Sequence, residues 1–157
     1  MGVLDAEISE FMDALDGVID EAMRVKVSEA AKGYIQMAVV TEVYMKYEPT
    51  DYVRKLDHGG LADMREPPVG SMKSCYDSKT KTLTVENVRN DWEPTRDWHR
   101  GRSVPIIVEE NIRDYDWWKR RFKRPFHDVA EQNLIKGGDV DFHIEDTYNE
   151  RMGGRNF

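Results

Sequence analysis

Apolar residues recur at intervals of three and four along the N-terminal part of the chain, from Ile8 to Val39. This spacing places the apolar side chains on one side of an α-helix. The sequence therefore predicts one long helix or two collinear helices, with any break or kink near Gly17 or Gly33, since each glycine weakens a helix by about 1 kcal/mol. Pro49 should end the helix at about Tyr47, because proline lacks a backbone N–H group and disfavours helical geometry in the residue before it.

A different pattern follows, in which apolar and polar residues alternate along two short segments, Met72 to Asp77 and Thr82 to Val88. Polar residues 78–81 separate the two segments, so the pattern predicts a β-hairpin. The apolar run from Val104 to Val108 is either a third strand or the opening of a helix that continues through Ile112. The run is too short for its periodicity to decide between the two.

A second helix is predicted to begin at Pro125, since proline suits the first turn of a helix. Its inner face carries Phe126, Val129, Ala130 and Leu134, and Gly137-Gly138 ends it. Residues 139–157 are polar and acidic, which predicts an extended C-terminal tail ordered only by contact with a partner. The fold class is therefore α+β, with a long N-terminal helix packed on a small antiparallel sheet. We predict a single domain over residues 1–138 and the tail over residues 139–157.

A loop rich in tyrosine connects the first helix to the hairpin. Its tyrosine rings are spaced to pack against the helix while each hydroxyl group stays near a polar partner. The Gly-Gly pair then turns the chain towards the hairpin. The residues assigned to this structural loop are Tyr47, Pro49, Tyr52, Arg54, Gly59 and Gly60.

Composition favours a protein that associates with copies of itself. The 157-residue chain is 39% hydrophobic and 34% charged, which predicts a thin core that neighbouring subunits help to bury. The single cysteine, Cys75, excludes an internal disulfide and is compatible with a reducing cytosol. No segment approaches the roughly 20 apolar residues of a membrane span, and the N-terminus lacks the pattern of a signal peptide.

Charge is unevenly distributed within a net charge of −7. Residues 5–32 carry eight acidic and three basic side chains, whereas residues 119–124 read Lys-Arg-Arg-Phe-Lys-Arg. Such an asymmetry fits subunits that dock head to tail, with an acidic helix against a basic segment. It supplies the two unlike, complementary patches that a ring of identical subunits needs.

No pattern of catalytic or ligand-binding residues stands out. The four histidines, His58, His99, His127 and His143, lie in separate segments without the paired spacing of a zinc site. Neither carboxylate pair continues into a calcium-binding loop, and no P-loop, dinucleotide fingerprint or nucleophile elbow is present. We therefore expect no enzymatic activity, no cofactor, no metal and no small-molecule substrate.

Tryptophan and cationic side chains in two segments after the hairpin are the candidate interface residues. Both residue types are enriched where protein interfaces are strongest. The basic run also suits DNA, because cations neutralise phosphates and the neighbouring rings could stack, so a DNA-contacting accessory protein is the alternative function. The acidic net charge favours a protein partner. The candidate residues are Trp92, Trp98, Arg100, Arg102, Trp117, Trp118, Lys119, Arg120, Arg121, Lys123 and Arg124.

The order of several short motifs resembles a family of small tailed-phage proteins. After the long helix come Tyr-x-Pro-x-x-Tyr-x-Arg at residues 47–54 and Gly-Gly-Leu-x-Asp at residues 59–63. A strand reading Leu-Thr-Val-Glu-Asn at residues 83–87 and Arg-Pro-Phe at residues 124–126 follow. Over about residues 5–138 this order is similar to that of tail components or neck proteins of the tail-completion type.

The resemblance implies an α+β subunit, with a helix on an antiparallel sheet, that forms a ring at the head-tail junction of the virion. It implies no catalytic residues. The implied partners are other copies of the chain and other neck and tail proteins, with possible passage of DNA through the ring and no membrane. The implied location is the virion, assembled in the host cytoplasm.

Overall fold

The computed structural model of the chain describes residues 3–46, 58, 60–88 and 126–153. Over these ranges the chain forms a long helix, a two-stranded hairpin and two further helices, in that order. The predicted α+β class is therefore confirmed.

The first helix runs without interruption from Val3 to Tyr44. It consists of α1 (Val3–Ala22), a π-helical segment (Met23–Val27), α2 (Ser28–Val39) and a second π-helical segment (Val40–Tyr44). The junction residues keep right-handed helical backbone angles, so the prediction of a long helix is confirmed. The irregular turns do not fall at the two glycines of the helix, because a glycine lowers helix stability without breaking the hydrogen-bond ladder.

The predicted hairpin is confirmed, with its second strand ending at Asn87 instead of Val88. Strand β1 (Met72–Asp77) pairs with β2 (Thr82–Asn87) in an antiparallel register that sets Met72 opposite Asn87. Burial alternates along both strands, and the inward side chains of β1 are those of Met72, Ser74 and Tyr76. One face of the hairpin therefore packs against the helices while the other faces solvent.

Helix α3 (Phe126–Gly137) begins and ends as predicted, with its inner face formed by Phe126 and Ala130. Gly138 follows in the left-handed conformation, with a φ angle of 71°, which interrupts the helical path for a single residue. Helix α4 (Asp139–Met152) then begins immediately.

The prediction of an extended C-terminal tail is wrong, because residues 139–152 form α4 and this helix packs against α1 within the same chain. Acidic residues in its first turn and Arg151 in its last turn suit the helix dipole. Its own carboxylates pair with cations of the first helix, as described below, so α4 stays ordered with few large apolar residues. The division of the chain into a domain and a partner-ordered segment at residue 138 stays a prediction.

The hydrophobic core lies where α2 meets α3 and the base of the hairpin. Phe126 and Met72 are fully buried there, each with a solvent exposure of 0%. The loop before the hairpin contributes Leu61 and Ala62 to the same core. The remaining members come from the first helix and from α3: Ile35, Ala38, Val39, Val43 and Ala130.

Candidate functional site

A buried polar network attaches the loop that precedes the hairpin to the end of β2. Asn87 is 4% exposed, and its side-chain amide donates hydrogen bonds to the backbone oxygen of Leu61 and, over 3.3 Å, to Ser71 Oγ. The Ser71 hydroxyl donates to the backbone oxygen of Asp63 over 2.8 Å. Buried polar groups stabilise a fold only when they are paired, so this network fixes how the loop enters the sheet.

Gly60 is the one residue of the predicted structural loop that the structure describes. Its backbone oxygen accepts a hydrogen bond from the Asp63 N–H group over 3.2 Å, which forms the predicted turn. The other residues assigned to the loop, Tyr47, Pro49, Tyr52, Arg54 and Gly59, lie outside the described residues.

An ion pair links α2 to the turn before β1. Lys32 is 5% exposed, and its ammonium group lies 2.7 Å from Glu66 Oε1, which also accepts a hydrogen bond from the Ser74 hydroxyl over 3.0 Å. The Lys32 hydrogen bond is the main reason why the pKa of Glu66 lies below its ordinary value, and burial opposes it. A lysine on the inner side of α2 is therefore paired rather than left as an isolated buried charge.

The N-terminal part of α1 is the most exposed helical surface of the protein among the described residues. Each residue from 5 to 13 is exposed, and we call this stretch the α1 arm. The arm includes Ile8 and Met12, whose side chains are each 54% exposed although they continue the apolar pattern of the buried part of the helix. The apolar stripe thus extends beyond the surface that the described parts of the chain cover.

The covered part of the helix begins where the hairpin and α4 reach it. The Lys81 ammonium group lies 3.4 Å from Asp16 Oδ2 and 2.8 Å from Asp20 Oδ1, and the Tyr76 hydroxyl donates to Asp20 over 2.8 Å. The Lys81 hydrogen bond contributes most to the lowering of the pKa of Asp20. The hairpin is therefore fixed to the helix just beyond the arm.

Helix α4 is fixed to the same helix by ion pairs. The Lys26 ammonium group lies 2.6 Å from Asp146 Oδ2 and 2.7 Å from Glu150 Oε2, and these bonds raise the pKa of Lys26. Arg151 Nε lies 2.8 Å from Glu21 Oε2. Because Arg151 is near the end of α4, that helix ends beside Glu21 and does not extend along the arm.

A groove lies between β2 and α3, and we call it the β2 groove. It encloses about 650 Å³. One wall of the groove is formed by residues 83–88, which include most of β2. The first helix contributes the side chains of Met23, Val27, Ala31 and Ile35. Its rim carries the carboxylates of Glu86, Asp128 and Glu131. The groove is thus apolar in its interior and acidic at its edge.

The predicted interface residues cannot be placed on these surfaces. Residues 89–125 lie outside the described residues, and all eleven predicted interface residues fall within that range. They are Trp92, Trp98, Arg100, Arg102, Trp117, Trp118, Lys119, Arg120, Arg121, Lys123 and Arg124. Their role in an interface stays a prediction.

Across residues 3–46, 58, 60–88 and 126–153, no three His, Cys, Asp or Glu side chains are grouped in a way that could hold a metal ion. None of the described helices has the length and apolar character needed to cross a membrane.

Comparison with known protein families connects this architecture to a phage protein. The sequence model of the YomN family matches residues 7–150, which extend from the α1 arm to the end of α4. The chain belongs to the YomN family. Because this family is phage-derived, the predicted phage origin is confirmed. The searches of curated proteins and of solved structures find no match.

The YomN match covers residues 7–13 of the α1 arm and all the residues that line the β2 groove. Sequence reasoning had missed the groove, because its walls come from segments far apart in the chain. Helix α4 was also missed, although a signal was present. Asp146 and Glu150 lie four residues apart, on one side of a helix, and acidic residues begin the segment while Arg151 lies near its end.

Proposed function

We propose that the protein is a structural subunit of a tailed-phage virion, which assembles with copies of itself at the head-tail junction and joins the tail to the head connector. In this proposal it binds neck and tail proteins and catalyses no reaction. The observation that carries the proposal is the α1 arm, a helical surface with apolar residues exposed to solvent.

The arm has the character of an interaction surface. Ile8 and Met12 are separated by four residues, so their side chains lie on the same side of the helix, and both are 54% exposed. Exposed apolar side chains that form a contiguous patch favour contact with a partner, because burying them removes apolar surface from water. The arm therefore offers a partner an apolar stripe of helical spacing.

Charge defines the kind of partner that fits. The arm carries Asp5, Glu7, Glu10 and Asp13, and the chain has no lysine or arginine before Arg24. A matching surface needs cations together with apolar or aromatic groups. The chain has such a segment at residues 117–124, which reads Trp-Trp-Lys-Arg-Arg-Phe-Lys-Arg.

We therefore expect the basic run of one copy to bind the α1 arm of the next copy. The two patches are different, so the contact is heterologous, and repeating it closes a ring if the rotation between neighbours allows closure. A phage-derived family supports a role in the virion. The position at the head-tail junction is supported by the motif order that resembles tail-completion proteins.

Size-exclusion chromatography with light scattering tests the role of the arm. Met12→Asp places a charge in the apolar stripe, so we expect an assembly that shrinks to a folded monomer. Ala6→Asp is the matched control, because it adds the same charge to the same arm on the opposite side of the helix and should leave the assembly intact. A wild-type chain that is monomeric at high concentration, alone and with virion components, would overturn the proposal.

The basic run is tested by reversing three of its charges. Replacing Arg120, Arg121 and Lys123 with glutamate should leave a folded monomer that no longer assembles, since the acidic arm then meets like charges. Unchanged oligomers would contradict the assignment of this run to the interface. If the wild-type chain instead binds DNA with an affinity that falls steeply with salt, the alternative function is favoured.

Location at the head-tail junction is tested in the phage. Deleting the gene should yield filled heads and tails that fail to join, visible by electron microscopy, and labelled protein should be found at the neck of complete virions. Normal joining of heads to tails in the deletion strain would contradict this location. Self-assembly is tested separately, by size-exclusion chromatography with light scattering.

A further inference from the structure

We infer that the β2 groove binds residues 99–108 of a second copy of this chain as a strand added to the outer edge of β2. This inference rests on the proposed self-assembly and adds a second contact to it. The direction of the backbone groups of β2, the apolar interior of the groove and the charges at its rim all suit such a strand.

The backbone groups that face the groove follow from the register of the hairpin. The Val88 N–H group donates to the Ser71 oxygen over 2.7 Å, which places this pair in hydrogen-bonded positions next to the pair of Met72 and Asn87. Hydrogen-bonded and non-bonded pairs alternate in an antiparallel ladder. The backbone groups of Leu83 and Val85 therefore point away from β1, towards the groove.

The position of Asn87 supports this assignment. Its backbone N–H group donates over 3.2 Å to Nε2 of His127, which lies on α3 at the other side of the groove. Leu83, Val85 and Asn87 are alternate residues of the strand, so the backbone N–H and C=O groups of all three point in the same direction. Within the described parts of the chain, no other backbone is paired with β2 on this side.

The interior of the groove suits an added strand. Peptides that extend an exposed sheet edge gain affinity from main-chain hydrogen bonds and specificity from pockets for alternate side chains. The β2 edge supplies the hydrogen bonds. Below it, Val27, Ala31 and Ile35 form an apolar surface for alternate side chains, and the volume of about 650 Å³ is open.

The rim selects a basic segment. Glu86, Asp128 and Glu131 are all exposed, and none of them forms an ion pair with another described residue. A segment that brings cations beside these carboxylates gains electrostatic complementarity as it docks. The chemistry of the site therefore calls for an extended apolar peptide with basic residues at one end.

Residues 99–108 of the chain have this composition. They read His-Arg-Gly-Arg-Ser-Val-Pro-Ile-Ile-Val, with two arginines followed by an apolar run rich in β-branched residues. Pro105 also decides which alternate residues face β2, since proline has no N–H group and must face away from β2. If the added strand runs antiparallel to β2, Val104, Ile106 and Val108 direct their N–H groups to β2 and their side chains to the apolar interior, on the same face as Leu83 and Val85.

The first experiment measures binding of a synthetic peptide of residues 99–108, with blocked ends and a fluorescent label, to the full-length protein by fluorescence anisotropy. N-methylation of Ile106 should weaken binding roughly tenfold or more, because it removes a hydrogen bond to β2. N-methylation of Ile107 is the matched control and should change affinity less than about twofold, since its N–H group faces away. The inference would be overturned if N-methylation of Ile106 and of Ile107 weakened binding equally, or if the unmodified peptide did not bind.

The rim is tested with the double variant Asp128→Lys and Glu131→Lys, whose folding is checked by circular dichroism. We expect peptide affinity to fall several-fold and its dependence on salt to become weaker. Unchanged affinity and salt dependence would remove the role assigned to the rim charges.

The source of the strand is tested by cross-linking in the full chain. With Cys75→Ser as background, Thr84→Cys and Ile107→Cys should form disulfides between copies, seen as covalent oligomers on a non-reducing gel. A disulfide within one chain would show that the chain fills its own groove and would overturn the second copy as the occupant.

The two proposals can fail separately. If the chain stays monomeric but binds the peptide, and N-methylation of Ile106 weakens that binding, the proposed assembly is overturned and strand binding in the groove is supported. A chain that assembles through the arm while neither peptide binding nor cross-linking occurs would support the assembly and overturn the groove inference.

Discussion

The two halves of the first helix carry the same apolar spacing but have different surroundings. In the first half Met12 is 54% exposed, whereas in the second half Val39 is 0% exposed and belongs to the hydrophobic core. The hairpin and α4 meet the helix from Asp16 onwards through ion pairs and hydrogen bonds. Periodicity therefore shows which side of a helix is apolar, while the length of the neighbouring elements decides how much of that side is covered.

The comparison separates residues that stabilise the fold from residues that are available to a partner. Side chains in the core lose contacts and leave a cavity when they are shortened, whereas exposed side chains lose little. Three predictions test this division, beginning with the largest expected effect on the free energy of unfolding.

The largest effect is expected for Phe126→Ala. Phe126 is 0% exposed in the core between α2, α3 and the hairpin, so its truncation should lower the free energy of unfolding by about 3 to 5 kcal/mol. Met12→Ala in the α1 arm is the comparison, and it should change stability by about 0.5 kcal/mol or less. Urea denaturation at matched protein concentration measures both, and similar losses in the two variants would contradict the division of the helix.

An intermediate effect is expected for Asn87→Ala. Removing this side chain leaves the buried backbone oxygen of Leu61 and the hydroxyl of Ser71 without the amide that donates to them. Losing these hydrogen bonds within a buried network should lower the free energy of unfolding by about 1 to 3 kcal/mol, measured by urea denaturation. Thr84→Ala, at an exposed position of the same strand, should cost about 0.5 kcal/mol or less, and an equal cost would show that strand propensity dominates over the network.

The smallest effect concerns the pH dependence of the ion pair between Lys32 and Glu66. The folded-state pKa of Glu66 is lowered from 4.5, so the ionised carboxylate stabilises the fold above that pH and the contribution is lost as pH falls through the lowered value. Glu66→Gln should therefore be less stable than wild type at pH 7, by about 1 kcal/mol or less because the carboxylate is half exposed.

The difference in the free energy of unfolding between wild type and Glu66→Gln should disappear in acid. Denaturation curves measured from pH 7 to pH 3 check this result, with Glu131→Gln as a control at an exposed position of α3. A gap that stays constant over this range would show that the carboxylate charge is not what stabilises the contact.

Local sequence patterns predicted most of the described elements. The hairpin from Met72 to Asn87 and the helix from Phe126 to Gly137 were predicted because two periodicities and a few strong breakers define them. Helix α4 was not predicted, because its mean hydropathy is low and its stability depends on Lys26 and Glu21, more than a hundred residues earlier in the chain. Neither groove nor arm could be predicted, since both depend on where other elements end.

By itself the sequence determined the long first helix, the position of the hairpin, the α+β class and the separation of acidic from basic segments. These features depend on residues close together in the chain, where spacing, glycine, proline and charge act directly. The tertiary structure decided that residues 5–13 are exposed, that β2 faces an apolar groove through the backbone of Leu83 and Val85, and that Asp146 and Glu150 bind Lys26. Those features arise from the packing of distant segments, because exposure and pairing depend on what else occupies the surrounding space.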